Sequence, residues 1–256
     1  MAPPPLPGGQ RTVGPHTVPE PELQGLVFDL DGTLIDSMPM FFPAWPETCA
    51  EFGLPLLSLE GFYGFAGVPM PDIVHAIHQD AGLECDDTRC EVFLESLKTA
   101  QAREEARRGS PERIECVIAL ATDALAAGQR VAVATSGVKE HVRSHLALTG
   151  LDQLFSESKG NLVCASDLPP GRGKPQPDIY LEAARRIGCD PSKCRAYEDG
   201  ESGLCAAYRA GMHVIDVTEM QGYPSSDGLR KAKAAQEQAR DWLDSTGSSG
   251  DKSSKL

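Results

Sequence analysis

The chain has 256 residues, 41% of them hydrophobic, which is enough for one sizeable domain or a core with a smaller insertion and excludes wholesale disorder. Its 37 acidic and 24 basic residues give a formal net charge of −13, so nucleic acid and anionic membrane surfaces are disfavoured as partners, because both attract basic patches. No apolar run approaches the length of a membrane span, and the first residues lack the pattern of a secretory signal.

The eight cysteines form no CxxC pair and no zinc-type spacing with histidine, so we expect free thiols in a reducing compartment. The last three residues, Ser254-Lys255-Leu256, match the tripeptide that the peroxisomal import receptor recognises. The sequence therefore predicts a peroxisomal location with that receptor as a partner. Without import, the location would be cytoplasmic.

The first half of the chain contains one strand followed by helices. Residues 1–22 are rich in proline and glycine and predict a flexible arm. Leu26-Val27-Phe28 predicts a short strand that ends at Asp29. Residues 37–109 then have a helical pattern, with prolines that make the first helix irregular or late to start. Because these helices do not alternate with strands, we expect them to form an inserted all-α domain.

Strands and helices alternate after residue 109. Ser110 and Pro111 have the pattern of a helix N-terminus, with Ser110 as the N-cap, and Gly128 would close that helix. The later predicted strands cover 130–137, 162–167, 194–199 and 213–217, and the later predicted helices cover about 138–150, 178–187 and 202–210. This alternation predicts an α/β fold with a doubly wound, Rossmann-like parallel sheet.

The predicted α/β core domain combines residues 23–36 with residues 110–244. Within it, a last and highly charged helix is predicted at about 228–243. Residues 245–256 are rich in glycine and serine and predict a disordered tail. Nothing in the sequence requires an oligomer, so we expect a monomer.

Polar side chains cluster where the predicted strands end, which is where open parallel sheets bind their ligands. One further polar residue, in the loop before a predicted helix, can reach the same crevice. These candidates are Asp29 and Asp31 after the first strand, Thr135 and Ser136, Glu198 and Asp199, and the loop residue Lys174.

This set of residue types has a consistent chemistry. Carboxylates that lie close together repel one another, and a divalent cation relieves the repulsion. Oxygen ligands without histidine suit Mg²⁺ better than zinc. A lysine and a hydroxyl group opposite the metal suit phosphate. One carboxylate can attack a phosphoryl group to form an aspartyl phosphate, and a second can protonate the leaving oxygen.

Four motifs carry a family resemblance. In their order and spacing, DLDGT, ATSG, GKPQPD and EDGESG resemble the four motifs of the haloacid dehalogenase superfamily of phosphatases. The helical domain after the first motif resembles that of the helical-cap subfamily, which includes β-phosphoglucomutase-like enzymes and sugar-phosphate phosphatases. The resemblance covers about residues 23–220, and it implies that residues 37–109 form the helical cap domain.

The resemblance implies roles for the first and second motifs. Asp29 matches the nucleophile, which also ligates the metal. Asp31 matches the general acid and base, and its backbone carbonyl would ligate Mg²⁺. Thr135 matches the phosphate-binding hydroxyl, with the amide of Ser136 nearby. A dehalogenase of the same superfamily needs only the first carboxylate, so the presence of Asp31 favours phosphoryl chemistry.

The third and fourth motifs complete the implied site. Lys174 matches the lysine that bridges the nucleophile and the phosphate. Glu198 and Asp199 match the acidic pair around the metal, and Asp199 is the surer direct ligand. Each motif taken alone also has a structural explanation, such as an Asx turn, a helix cap or a solvated lysine. The occurrence of all four in order favours the catalytic explanation.

Other conspicuous residues have simpler interpretations. Two histidine pairs at helical spacing are more typical of core or surface residues than of a metal site, and we place the second pair on a helix surface. These pairs are His75 with His78 and His141 with His145. The aromatic residues Phe41, Phe42 and Trp45 are expected to pack inside the insertion, where one of them could also contact substrate. Arg172 is either a solvated loop residue or a substrate-facing charge.

The insertion also bears on the type of reaction. β-Phosphoglucomutase-like mutases carry polar residues where this chain has Phe41, Ala66 and Met70. A mutase must hold a bisphosphate, for which an apolar cap offers little. The prediction is therefore Mg²⁺-dependent hydrolysis of a small phosphorylated metabolite, such as a sugar or polyol phosphate. A phosphosugar mutase and a noncatalytic binding protein are the alternatives.

Overall fold

The computed structural model describes residues 22–65, 68 and 70–224. The predicted arm lies outside the described residues except for Glu22. The predicted helix at 228–243, the predicted tail and the tripeptide Ser254-Lys255-Leu256 also lie outside them. No helix in the described part of the chain is both long enough and apolar enough to cross a membrane.

Short apolar segments form a five-stranded sheet, and all neighbouring strands are parallel. The strands are β1 (Gly25–Phe28), β4 (Arg130–Thr135), β5 (Leu162–Cys164), β6 (Cys194–Glu198) and β7 (His213–Asp216). Their order in the sheet is β5-β4-β1-β6-β7. Most of their residues are buried, as expected for a parallel sheet that is covered on both faces. The predicted doubly wound α/β fold is confirmed.

Helices cover the two faces of the sheet. On one face, apolar residues of α6 (Glu115–Ala126) and α7 (Lys139–Thr149) pack against the sheet. On the other face, α8 (Asp178–Ile187) and α9 (Glu201–Arg209) contribute mainly alanines to the core. Alanine lets these two helices approach the strands closely, because it has no side chain beyond Cβ.

Five helices form the insertion between two short connecting strands. The connecting strands, β2 (Ile35–Asp36) and β3 (Glu112–Arg113), pair antiparallel with each other. The inserted helices are α1 (Met38–Phe41), α2 (Ala44–Glu51), α3 (Leu59–Gly64), α4 (Met70–Asp80) and α5 (Asp87–Arg108). They enclose a hydrophobic cluster of their own, with Trp45, Phe62 and Phe93 among its buried residues. The predicted all-α insertion is confirmed as part of the fold, whereas the numbered domain boundaries stay predictions.

The predicted helix start at Ser110 and Pro111 is wrong. Glu112 and Arg113 pair with β2 instead, and the N–H of Ile114 donates to the carbonyl of Leu34 at 2.9 Å. Helix α6 therefore starts only at Glu115, after Ile114. The strand partner lies far away in sequence, so a local helix-start pattern could not reveal this pairing.

The predicted strand over 162–167 is too long. It ends at Cys164, and residues 165–167 form a 3₁₀ turn. The Asp167 carboxylate accepts a hydrogen bond from the Cys164 N–H at 3.2 Å and so closes the turn. A side chain that bonds its own nearby backbone commonly ends a strand in this way.

Candidate active site

All seven predicted site residues line one cavity of about 170 Å³ between the sheet and the helical insertion. The sheet register explains their convergence. Phe28, the last residue of β1, lies beside Val133 of β4 and Tyr197 of β6. The polar residues that follow in each strand therefore emerge at the same edge, as carboxyl-end ligand sites do.

Lys174 is the cation of this cavity. Its ammonium donates to Asp29 Oδ1 and, at 2.6 Å, to Glu198 Oε1. Burial by itself lowers the pKa of Lys174, but attraction to the two carboxylates outweighs that effect and raises the pKa above its usual value. Lys174 is therefore charged and fixed between the two acidic residues.

Tyr180 supports this lysine from α8, although no sequence pattern predicted it. Its hydroxyl donates to Glu198 Oε1 at 2.5 Å, and its ring centroid lies 5.4 Å from Lys174 Nζ. Burial, and then the negative charge of Glu198, raise the pKa of Tyr180 well above its usual value, so the hydroxyl stays a donor. In the sequence Tyr180 is one of several apolar positions of an amphipathic helix, with nothing to distinguish its role.

Gly203 is the last residue of the fourth motif, EDGESG, and the sequence assigned it no role. This α9 residue faces the carboxylate of Glu198 so closely that a Cβ atom at position 203 would overlap it. The close approach of helix and carboxylate therefore requires glycine, although the backbone conformation there is ordinary. Glu198 is thus enclosed by Lys174, Tyr180 and Gly203, and its Oε2 accepts a bond from the Asp199 N–H at 3.2 Å.

Three buried carboxylates form a group that could hold a cation. Asp29, Glu198 and Asp199 each offer an oxygen, and these oxygens lie within 4.8 Å of one another. Burial raises the pKa of Asp29 well above its usual value, and the neighbouring carboxylates add to the rise while Lys174 opposes it. A hard divalent cation suits this oxygen-only donor set and would favour the ionised form of Asp29.

The loop after β1 brings Asp199 close to the first motif. The Thr33 hydroxyl donates to Asp199 Oδ1 at 3.0 Å. Gly32 has a φ of +88° and also lies so near the Asp199 carboxylate that a Cβ would overlap it. Glycine is therefore needed at position 32 for both conformation and space. The carbonyl of Gly32 accepts a hydrogen bond from the hydroxyl of Tyr223, a further residue that the sequence did not single out.

Asp31 contacts Ser37 and lies next to the loop after β4. The Ser37 hydroxyl donates to Asp31 Oδ1 at 2.7 Å, and Ser37 is fully buried. Gly137, which follows β4, lies near Asp31 Oδ2 and Thr135 Oγ1. The Gly137 N–H donates to Thr135 Oγ1 at 2.9 Å. The loop after β4 thus brings a hydroxyl group and a backbone turn next to Asp31.

Some of the other conspicuous residues fall outside the cavity. Arg172 is exposed and pairs with Asp178 at 3.2 Å, so it is a solvated loop residue. His78 is a buried residue of the insertion, where it contacts the carbonyl of Val74 and the Arg89 side chain. The predicted surface position of His145 is wrong, because its side chain is buried against Glu105 of the insertion.

A larger cavity of about 610 Å³ lies at the opposite edge of the sheet. Among its described lining residues, Arg130 is the only ionisable one. Its guanidinium is already bonded to the carbonyls of Ile187 and Gly188. The described lining of this cavity thus has no group of reactive side chains, in contrast to that of the smaller cavity.

Comparison with known proteins gives consistent matches over the part of the chain that contains most of the sheet, the insertion and the site residues. A family model described as haloacid dehalogenase-like hydrolase matches residues 23–211. Hexitol phosphatase A of Escherichia coli strain K12 is 32% identical over 197 residues, which cover 76% of this chain and 82% of that protein. Fructose-1-phosphate phosphatase YqaB of the same strain is 30% identical over 194 residues, which cover 75% and 95%.

Solved structures share the fold. β-Phosphoglucomutase from Clostridium difficile superposes with a TM-score of 0.65 at 17% identity, covering 86% of this chain and 99% of that one. CbbY from Rhodobacter sphaeroides, in a complex with xylulose-(1,5)bisphosphate, gives a TM-score of 0.62 at 21% identity, covering 75% and 84%. At these identities the likeness concerns the fold alone.

Proposed function

Since this chain belongs to the haloacid dehalogenase-like hydrolase family and is a phosphoric monoester hydrolase of that type, we propose that it hydrolyses a small sugar or polyol phosphate through an aspartyl phosphate on Asp29, with Mg²⁺ as cofactor. One observation carries the proposal. Asp29, Asp31, Thr135 and Lys174 line the same small cavity, although they come from distant parts of the chain.

Asp29 is the proposed nucleophile. Its carboxylate attacks the phosphorus atom, and the bond between phosphorus and the ester oxygen breaks. Lys174 compensates part of the negative charge that Asp29 and the phosphoryl group bring together, and its bond to Glu198 fixes its position. The Thr135 hydroxyl, which accepts the Gly137 N–H, keeps its own proton for a phosphate oxygen.

Asp31 is the proposed acid and base. In the first step it gives a proton to the departing alcohol, and in the second it takes a proton from the water that cleaves the aspartyl phosphate. The hydroxyl of Ser37 fixes Oδ1, so Oδ2 on the Gly137 side remains for proton transfer. Ser37 is therefore a positioning residue for Asp31.

Mg²⁺ fits the acidic group of the cavity. Asp29 and Asp199 would hold it together with the backbone carbonyl of Asp31, whereas both oxygens of Glu198 already accept hydrogen bonds. We therefore propose that Glu198 fixes the position of Lys174 and lies near the ion without ligating it directly. When bound, Mg²⁺ would neutralise carboxylate charge and polarise the phosphoryl group.

Sugar and polyol phosphates are the proposed substrates because of the names of two relatives whose alignments cover about three quarters of this chain. One is named as a hexitol phosphatase and the other as a fructose-1-phosphate phosphatase. The test is phosphate release from a panel of sugar, polyol and nucleotide monophosphates, with Mg²⁺ and with EDTA. Asp29→Asn is the matched inactive variant.

We expect Mg²⁺-dependent release that falls at least about a thousandfold in Asp29→Asn. Conversion of one sugar phosphate isomer into another without free phosphate would support the mutase instead. A folded protein that binds substrate but performs neither reaction would support the noncatalytic alternative. Release that is unchanged in Asp29→Asn would overturn the assignment of the nucleophile.

A further inference from the structure

The insertion contributes an uncharged surface to the catalytic cavity. Among the described residues, every side chain that it contributes other than Gln101 is apolar or aromatic, including Phe41, Trp45, Phe62 and Ile73. All ionisable side chains that line the cavity come from the core. The part of a substrate that points away from the phosphate therefore meets a surface without charge.

Gln101 is the exception in polarity. It lies on α5 at four residues from Leu97, on the buried stripe of that helix, and only 7% of its surface is exposed. Among the described residues its amide has no hydrogen-bond partner, and its atoms keep some access to the cavity instead of being sealed in the interior. The side chain lines the cavity, so a bound molecule or water can supply that partner.

The charges of the core limit what the cavity accepts. Four carboxylates, those of Asp29, Asp31, Glu198 and Asp199, face one ammonium, that of Lys174. The transferred phosphoryl group would pair with this ammonium and with the Mg²⁺ ion that the proposed function assigns to the cavity. A second phosphate or a carboxylate on the substrate would have no described cation to pair with, and it would lose its hydration against aromatic rings.

The size of the cavity adds a limit on length. Its volume of about 170 Å³ is well below the roughly 300–1,000 Å³ of cavities that take drug-sized ligands. A short carbon chain or one sugar ring can place its C–H face on the aromatic rings and a hydroxyl group within reach of the amide.

We propose, on the basis of the function proposed above, that Gln101 is a specificity residue and that this enzyme selects monophosphates of small, uncharged, hydroxylated alcohols. The amide of Gln101 binds a hydroxyl group of the alcohol. The uncharged surface around it rejects substrates that carry a second anionic group.

Two matched substrate pairs test the charge rule. Glycerol 3-phosphate and 3-phosphoglycerate differ in a hydroxymethyl against a carboxylate group, and fructose 1-phosphate and fructose 1,6-bisphosphate differ in one phosphate. We expect kcat/KM to favour the uncharged member of each pair by about a hundredfold or more. Phenyl phosphate, which has no alcohol hydroxyl group, is the reference ester.

Two variants test Gln101 itself. Gln101→Leu should lower kcat/KM for the better hydroxylated substrate by roughly tenfold more than for phenyl phosphate, mainly through KM. In Gln101→Lys the ratio of kcat/KM for glycerol 3-phosphate to kcat/KM for 3-phosphoglycerate should fall by about tenfold, because the new ammonium can pair with the carboxylate. Gln79→Leu, the same change as Gln101→Leu on an exposed face of α4, is the matched control.

Equal kcat/KM within the substrate pairs, or an equal loss for every ester in Gln101→Leu, would overturn this inference while the phosphatase function stands. Release of no phosphate from any ester would overturn the proposed function and this inference with it. The two failures are therefore distinguishable.

Discussion

His145 Nε2 and Glu105 Oε1 lie 3.3 Å apart, and this contact joins the α/β core to the helical insertion. His145 is on α7 and Glu105 is on α5. Both side chains are mostly buried. The centroid of the Phe41 ring lies 5.7 Å from the centroid of the His145 imidazole. The insertion thus rests on the core through a polar pair as well as through its connecting strands.

We expect this pair to stabilise the insertion on the core. Glu105→Gln and His145→Gln should each lower the free energy of unfolding, and a double-mutant cycle should give a coupling of about 0.5–1 kcal/mol, because the two side chains contact each other directly. Urea denaturation of the two single variants and the double variant measures the free energies of unfolding from which the coupling is calculated. Glu91→Gln, on the exposed face of α5, is the control. Strictly additive effects of the two changes would contradict the prediction.

Gly203→Ala should inactivate the enzyme without unfolding it. The new methyl group would overlap the Glu198 carboxylate and displace it, and Lys174 would move with it. Overpacking of this kind costs about 1–3 kcal/mol of stability, and a displacement of about 1 Å in a catalytic group can lower the rate about a hundredfold. We therefore expect a hundredfold loss in kcat/KM for phosphate release, with a cooperative urea transition retained.

Gly64→Ala is the matched control for that experiment. Among the described residues, no atom lies within 4 Å of the position that its Cβ would take, and its backbone conformation is ordinary. Activity close to that of the unmodified protein is expected for Gly64→Ala. If Gly203→Ala were equally active, the close contact between α9 and Glu198 would have no importance for catalysis.

Glu182 should make stability depend on pH in the acid range. The hydrogen bond from Arg185 lowers the pKa of Glu182, burial opposes this effect, and the hydrogen bond from Arg186 lowers the pKa further. The net result is a fall in the pKa from 4.5 to about 2. A carboxyl whose pKa is lower in the folded state contributes stability above the unfolded pKa and loses it as the pH falls through the folded pKa. The contribution is therefore complete above about pH 4.5 and lost towards pH 2.

Glu182→Gln should lower the free energy of unfolding by about 1 kcal/mol at pH 7, a value reduced because Arg185 is largely exposed. The difference from the unmodified protein should shrink as the pH is lowered from 4.5 towards 2. Denaturation at several pH values measures it, with the exposed residue Glu84→Gln as the control. A difference that stays constant down to pH 2 would rule out this ion pair as its source.

The sequence was sufficient to predict the sheet and the clustering of the seven site residues. The strands are short apolar runs, and polar residues follow them directly, so one rule about the carboxyl edge of parallel strands locates Asp29, Thr135 and Glu198 together. These signals are local. The predicted clustering is present in the structure because neighbouring strands end at the same level.

The residues that support the site could not be predicted because the sequence does not show which side chains lie beside them. Tyr180 and Tyr223 look like ordinary helix or loop residues until Glu198 or Gly32 is placed beside them. Gly203 belongs to the fourth motif, but only the position of α9 against Glu198 shows why a glycine is needed there. Gln101 had a faint signal, since it is a polar residue on the buried stripe of α5. The same lack of long-range information made the Ser110 helix start and the surface position of His145 wrong.

The sheet order has a consequence for how the protein is made. Strand β1 is synthesised first, but its neighbours in the sheet are residues 130–133 and 194–197. On the ribosome, one edge of this central strand therefore has no native partner until residues 130–133 have been translated, and the other edge has none until residues 194–197 have been translated. The site residues of the smaller cavity, which come from positions 29 to 199, can therefore come together only after Asp199 has been translated.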